Sequence, residues 1–244
     1  MSKKITYIFC LISFFGISQN IKVEYASTFI SFEAKSTIDL PSNQKAALMK
    51  AEKMMKTSVE DQQIVLYTKP NNQFLLEVKD KMSVDNQFQS FLGVSLLNLH
   101  SYIFGKNDSI VLGYSKNQNF IVEYENINVT WKVTNESKDI LGFKCFKAIP
   151  QYNEIHDNKT ETFPTEVWFT PSINKRGGPI VYSNLPGLIL EVVKSKSFTI
   201  KAIKIEWIKE DREVPEIDKK IITELQAYKI AKATGAAIES RIKK

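Results

Sequence analysis

Histidine and cysteine are scarce in this 244-residue chain, with two of each. His100 and His156 lie far apart and form no HxxH-type metal pair. Two cysteines cannot build a multi-cysteine zinc site or a disulfide-stapled miniprotein. Nine glycines and eight prolines are too few for a collagen-like or low-complexity chain. Neither sign of charge dominates: 33 basic against 27 acidic side chains leave +6. No basic stripe interleaved with aromatics marks a nucleic-acid binder, and none is expected as a partner. What is present is apolar surface, 43% hydrophobic with 11% aromatic residues. That excludes a largely disordered chain and suffices to fill one domain.

The first residues read as an export leader. Lys3 and Lys4 precede an apolar run over 5–17, then Ser18 and Gln19. A charged start, an apolar middle and a small-residue end make a secretory signal peptide. The run is too short for the ~20 residues that span a bilayer. Cleavage after Ser18 or Gln19 is expected, giving a leader over 1–19 and one domain over 20–244. The mature chain then carries no transmembrane segment and stays in the periplasm or at the cell surface. Cys10 leaves with the leader, and Cys145 remains as a buried small hydrophobe.

The mature chain reads mostly as strands. Ile21, Val23 and Tyr25 alternate with Lys22 and Glu24, and Ile30 and Phe32 then change phase, which predicts a bulge or bend. Segments 64–67 and 74–78 flank Pro70-Asn71-Asn72, and 110–114 and 120–124 flank a polar tetrapeptide: two hairpins. Strands over 129–134 and 143–149 flank a turn predicted at 135–139. Strands over 165–170, 188–193 and 198–208 complete the set. Ser42 is a candidate N-cap for a helix near 43–57, whose stripe of Ala47, Leu48, Ala51, Met54, Met55 and Val59 is expected in the core. A C-terminal helix is expected from about 217. The run 91–99 suits a strand or a short helix. Together these predict a mainly β (α+β) fold: a curved antiparallel sheet, bowl-like or half-barrel, with two flanking helices.

Chemistry is thin at this level. Gly93-Val94-Ser95 resembles a nucleophile elbow but lacks the final glycine. Glu154, His156 and Asp157 cluster in a polar stretch that reads as a solvated loop. Arg176-Gly177-Gly178 lacks the spacing of a phosphate loop and reads as a turn. No spacing marks a carboxylate pair, so no catalytic residue, cofactor or metal is assigned.

The segment Asn184-Leu185-Pro186-Gly187-Leu188-Ile189-Leu190 carries the one specific signature. Pro186 and Gly187 at the centre predict a type II turn feeding a core strand. With Trp131, Gly142-Phe143, Val167-Trp168-Phe169-Thr170 and Gly178-Pro179 in order, it resembles the GLPGLI family of secreted Bacteroidetes proteins. Asn184 stands in place of that family's first glycine and is expected to supply a positive φ. Asp108-Ser109-Ile110 resembles the O-glycosylation motif of secreted Bacteroidetes proteins, making Ser109 a candidate acceptor.

The resemblance itself names no function. With no catalytic set in the sequence and strands rich in Phe, Tyr, Trp and Ile, the expectation is an exported, non-catalytic envelope protein that presents a curved sheet to a protein partner or an apolar ligand. Its structural signature is Asn184, Leu185, Pro186, Gly187, Leu188 and Ile189. The alternatives are a periplasmic carrier of lipid or another hydrophobe, and a glycan- or peptide-acting hydrolase.

Overall fold

The computed structural model describes residues 20–30, 41–79, 87–152 and 164–242. The leader and the Glu154, His156, Asp157 cluster lie outside them. Twelve strands form one open, curved sheet. In chain order the elements are β1 (Asn20–Phe29), α1 (Ser42–Glu60), β2 (Gln63–Thr68), β3 (Phe74–Lys79), α2 (Gln87–Leu96), β4 (Tyr102–Gly105), β5 (Ile110–Tyr114) and β6 (Phe120–Glu125). They continue with β7 (Val129–Ile140), β8 (Phe143–Tyr152), β9 (Glu166–Thr170), β10 (Leu188–Val193), β11 (Phe198–Ile208), β12 (Lys220–Thr223) and α3 (Glu224–Ile242). The spatial order is β12-β6-β5-β4-β3-β2-β1-β11-β10-β9-β8-β7. Every strand pairing is antiparallel except β12 on β6.

One face of the sheet is the core. Ile205, Val23, Leu66, Leu76, Ile103, Gly113 and Val122 share a row across the β11–β1–β6 half. Val23, Leu66, Leu76, Ile103 and Val122 are all buried there. Val59, Leu97, Leu99, Ile173, Ile180 and Leu185 cover this face from α1, the turn after α2 and the segment between β9 and β10. At ~25 cal/mol per Å² of apolar area, such a face is the main source of stability. Gly93 sets how closely the two helices cross: a Cβ there would stand 2.0 Å from the Ser58 carbonyl oxygen.

Several expectations change. β1 keeps its odd residues buried as far as Phe29, and Ile30 is exposed. The irregularity lies opposite Glu24 and Tyr25, where β11 inserts Ile203. The stretch 135–139 is not a turn but a bulged part of β7; the chain reverses at Leu141-Gly142, where both φ are positive. β7 is an edge strand bathed in solvent, so its residues are as polar as a turn's. Pro41, not Ser42, occupies the N-cap of α1, without a side-chain cap bond. Of the α1 stripe only Val59 is buried, because the helix meets the core through its last turn alone. Residues 220–223 pair with β6 as a strand, so the C-terminal helix begins at Glu224. The ambiguous run becomes α2 followed by a turn.

Candidate functional site

The opposite face of the sheet carries the chemistry. Residues paired in register point to the same side. One row therefore runs Lys204, Glu24, Val65, Glu77, Tyr102, Tyr114, Ile121, Ile221. The next runs Glu206, Lys22, Tyr67, Leu75, Phe104, Leu112, Glu123, Thr223. Segment 209–219 links β11 to β12 at the far edge and straps this face. Its ties are Asn20 Nδ2 donating to the Glu210 carbonyl (3.0 Å), Lys69 to Asp211 (2.9 Å) and Arg212 to Glu77.

Glu77 is buried in the middle of β3 and its charge is answered by Arg212. Arg212 Nη2 lies 3.1 Å and Nε 3.2 Å from Glu77 Oε1. The Glu77 charge holds Arg212 above its ordinary value. Burial, and then the Glu77 charge, raise Tyr67. Alongside, Lys22 bonds Glu24 and lies 3.5 Å from Glu206, which Lys204 meets at 2.9 Å. Those contacts raise Lys22 and lower Glu206.

The same face continues past β11 as Lys201, Glu191, Trp168 and Lys147 in one row. Lys138 Nζ contacts Glu191 Oε1 at 2.6 Å and lies 4.0 Å from the centre of a Trp168 ring. Lys147 bridges Glu166 (2.8 Å) and Glu136 (3.3 Å). Cys145, wholly buried, has its thiol pushed up to about 11 by burial.

On the core side a polar chain crosses β4–β6. His100 lies against Gly113, with Nδ1 3.0 Å from Ser115 Oγ and Nε2 2.8 Å from Tyr124 Oη. The Tyr124 ring meets Tyr182 edge-on, and the Tyr182 hydroxyl donates to Glu224. Burial, aided by the Lys194 charge, pushes His100 down to about 4. It is therefore neutral at pH 7 and a weak base. Lys194, directly after β10, is 4% exposed. Burial lowers its amine to about 8.

The signature residues form a corner rather than a ligand site. Asn184 is not at positive φ among the described residues. Its side chain is a hub: Oδ1 accepts from Trp131 Nε1 at 2.6 Å, and Nδ2 donates to the Asn126 and Val129 carbonyls at 3.2 Å each. The Gly187 N–H bonds the Leu185 carbonyl, a three-residue turn about Pro186 in place of the type II turn. Leu188 is committed to β10 beside Thr170 and to a bridge with Gly177, so it cannot close the wider turn. Gly187 has φ +149°, and a Cβ there would stand 2.2 Å from the Thr170 carbonyl oxygen. Leu185, Leu188 and Ile189 are buried beneath the corner.

The remaining candidates separate. Ser95 is an exposed residue of α2, far from any elbow. Arg176 pairs with Asp108 at 2.9 Å, while Gly177 and Gly178 press on Phe74 and Ile189. Ser109 is exposed on the β4–β5 connection, where Asn107 Oδ1 accepts its N–H. No cluster of three or more metal-ligating side chains occurs among the described residues. No helix among them is long and apolar enough to cross a membrane. Glu24, Glu77, Tyr102 and Tyr114 escaped the sequence reading because register, not spacing, unites them. The available signal was a glutamate inside an otherwise apolar strand, as at Glu77 and Glu191.

No curated protein matches the sequence. Among solved structures, the fold is similar to PNGF-II in a P21 crystal form, with TM-score 0.51 and 16% identity, covering 87% of this chain and 33% of that one. PNGF-II in a C2 form gives TM-score 0.49, 18% identity and coverages of 85% and 31%. An uncharacterized conserved protein from Thermus thermophilus gives TM-score 0.35, 8% identity and coverages of 85% and 92%. The chain thus spans about a third of the PNGF-II it matches. The family described as "N-glycanase peptide, N-terminal domain" matches residues 31–229. This corrects the GLPGLI assignment: the 184–190 corner and the pieces around it fall inside the matched span, and they serve packing that a curved sheet of this shape requires. The match also overturns the expectation of a non-catalytic module for a protein partner or apolar ligand, which rested on the absence of a catalytic motif in the sequence. By a match that takes in both faces of the sheet, the strap and the corner, the chain belongs to the N-glycanase N-terminal domain family.

Proposed function

We propose that this chain acts on the glycans of N-glycoproteins. The observation that carries the reading is the family match over 31–229. It replaces the expectation that the chain is no enzyme and favours the glycan-acting alternative over the lipid carrier. The chain spans a third of PNGF-II, so the activity of that whole protein enters here as a proposal.

The charged face supports the reading in physical terms. Work on a glycan linkage asks for carboxylates that share one face. Glu24 and Glu77 stand in one row, two strands apart, roughly 10 Å between backbones at ~4.8 Å per strand. Glu206 lies beside Glu24, and aromatic rings of Tyr67, Tyr102 and Tyr114 line the same side.

The test is direct. Purified chain is incubated with a denatured N-glycoprotein, and released glycan and retained complex are measured by mass spectrometry. Release or retention that weakens in Glu24→Gln and Glu77→Gln supports the reading. Neither release nor retention across several glycoproteins overturns it.

Export belongs to the same proposal, since glycoproteins are met outside the cytoplasm. The mature envelope protein should begin near Asn20, and an intact Met1 in that pool refutes the leader. Ser109 is exposed on its hairpin and is proposed as an O-glycan acceptor. A Ser109 peptide without added mass in protein from its own host refutes that.

A further inference from the structure

Tyr102 and Tyr114 are cross-strand neighbours on β4 and β5. Their ring centres are 6.4 Å apart and their planes differ by 14°. Such an offset, near-parallel pair is a stable aromatic geometry, so the two rings act as one rigid apolar surface. Both residues are half-buried on the sheet. Glu77 borders the pair on one side and Ile121 on the other. The Arg212 charge lies within electrostatic reach of the Tyr67 and Tyr102 hydroxyls.

Most charges on this face are paired, and Glu123, on β6 diagonal to Tyr114, adds a negative one. Lys22, Lys204 and Arg212 face Glu24, Glu77 and Glu206, and each is already engaged with an opposite charge. A polyanion would have to break these pairs to bind. An uncharged polyol would not: its C–H faces cover the rings, and its hydroxyls meet donors and acceptors already held in place.

We propose that the Tyr102–Tyr114 pair, with Glu77 and Arg212 at its rim, is a subsite for neutral pyranose units of a glycan. The subsite rests on the glycan-acting reading and gives that reading its first contact surface. The rings supply apolar area at low entropic cost, having two side-chain torsions each. The Arg212–Glu77 pair fixes orientation.

The experiment is calorimetric titration of the full chain with a neutral biantennary N-linked oligosaccharide, with proton NMR of the same mixture. Ring-current upfield shifts of sugar C–H protons should appear in the wild-type chain. Tyr102→Ala and Tyr114→Ala should each weaken binding on the order of 10-fold, the effect of losing one well-packed ring. Tyr114→Phe should keep it within about 3-fold, because the ring face survives. Far-ultraviolet circular dichroism checks that the alanine variants fold; if they do not, the ring-current shifts and Tyr114→Phe decide. Wild-type affinity in a folded Tyr102→Ala/Tyr114→Ala double variant, or glycan binding without ring-current shifts, overturns the subsite and leaves the glycan reading standing. No binding by the wild-type chain overturns both. Tighter binding of a sulfated polysaccharide than of the neutral glycan overturns the assignment to uncharged sugar.

Discussion

Lys194 offers the sharpest test of the packing. It is 4% exposed, and burial alone sets the shift of its amine. A charge buried without a partner destabilises the fold. Burial lowers the amine from its ordinary 10.5 to about 8. At ~1.4 kcal/mol per pH unit between the two values, the cost is about 3 kcal/mol. The sign follows from proton binding. Between the two values the unfolded chain holds a proton that the native chain lacks, so this group makes stability rise with pH there. Below about pH 8 both states are charged and the full cost stands. Lys194→Met keeps most of the stem and removes the charge. At pH 7 it should stabilise the protein by up to about 3 kcal/mol, roughly 6–12 °C in melting temperature for a chain of this size. The gap should shrink as pH rises from 8 toward 10.5. Urea unfolding of both proteins across that range measures it. A variant no more stable at pH 7, or a gap that ignores pH, refutes the reasoning: the ammonium would then be solvated or paired.

Gly187→Val should lower the melting temperature by several degrees. Strain at positive φ is of order 1–3 kcal/mol, and the new Cβ would push into the Thr170 carbonyl. Unchanged melting would mean that the corner moves. Asn184→Ala strips the Trp131 indole and two carbonyls of their partner. A loss of about 1–3 kcal/mol is expected, read by chemical denaturation; a neutral effect would show that water replaces the amide. Cys145, raised to about 11 and wholly buried, should react with a thiol reagent only after unfolding. Rapid labelling of the native protein would contradict its placement.

Where one face of a strand is buried and the other wet, the sequence announces it. β11 falls on the residues expected of it, and the β2–β3 hairpin turns at Asn71 and Asn72, both at positive φ. Legibility fails where solvent reaches both faces. The 135–139 part of β7 looks like a turn because an edge strand needs no apolar side. β12 was hidden for a related reason: four residues with one buried side chain, Ile222, give no period to detect. The α1 stripe misled in the other direction, since an amphipathic pattern shows that a helix has an apolar side but not that a partner covers it. For the site, the residue types were visible and their union was not. Glu24 and Glu77 come together only through the pairing of β1, β2 and β3. Even the signature misdirected its family, since Pro186 and Gly187 report a corner and corners recur.

The seam between β1 and β11 has a consequence for how the protein is made. Strands β2 to β6 extend the sheet from one side of β1 and β10 to β7 from the other, so their strand pairing is joined only through β1 and β11. Asn20 waits there for Ile208, and Phe29 for Phe198. The strand that emerges first from the ribosome finds its second neighbour only when the chain is nearly complete. Pairings between such distant residues close slowly. Until β11 arrives, the centre of the sheet is an open edge, and the β1 strand has only β2 beside it.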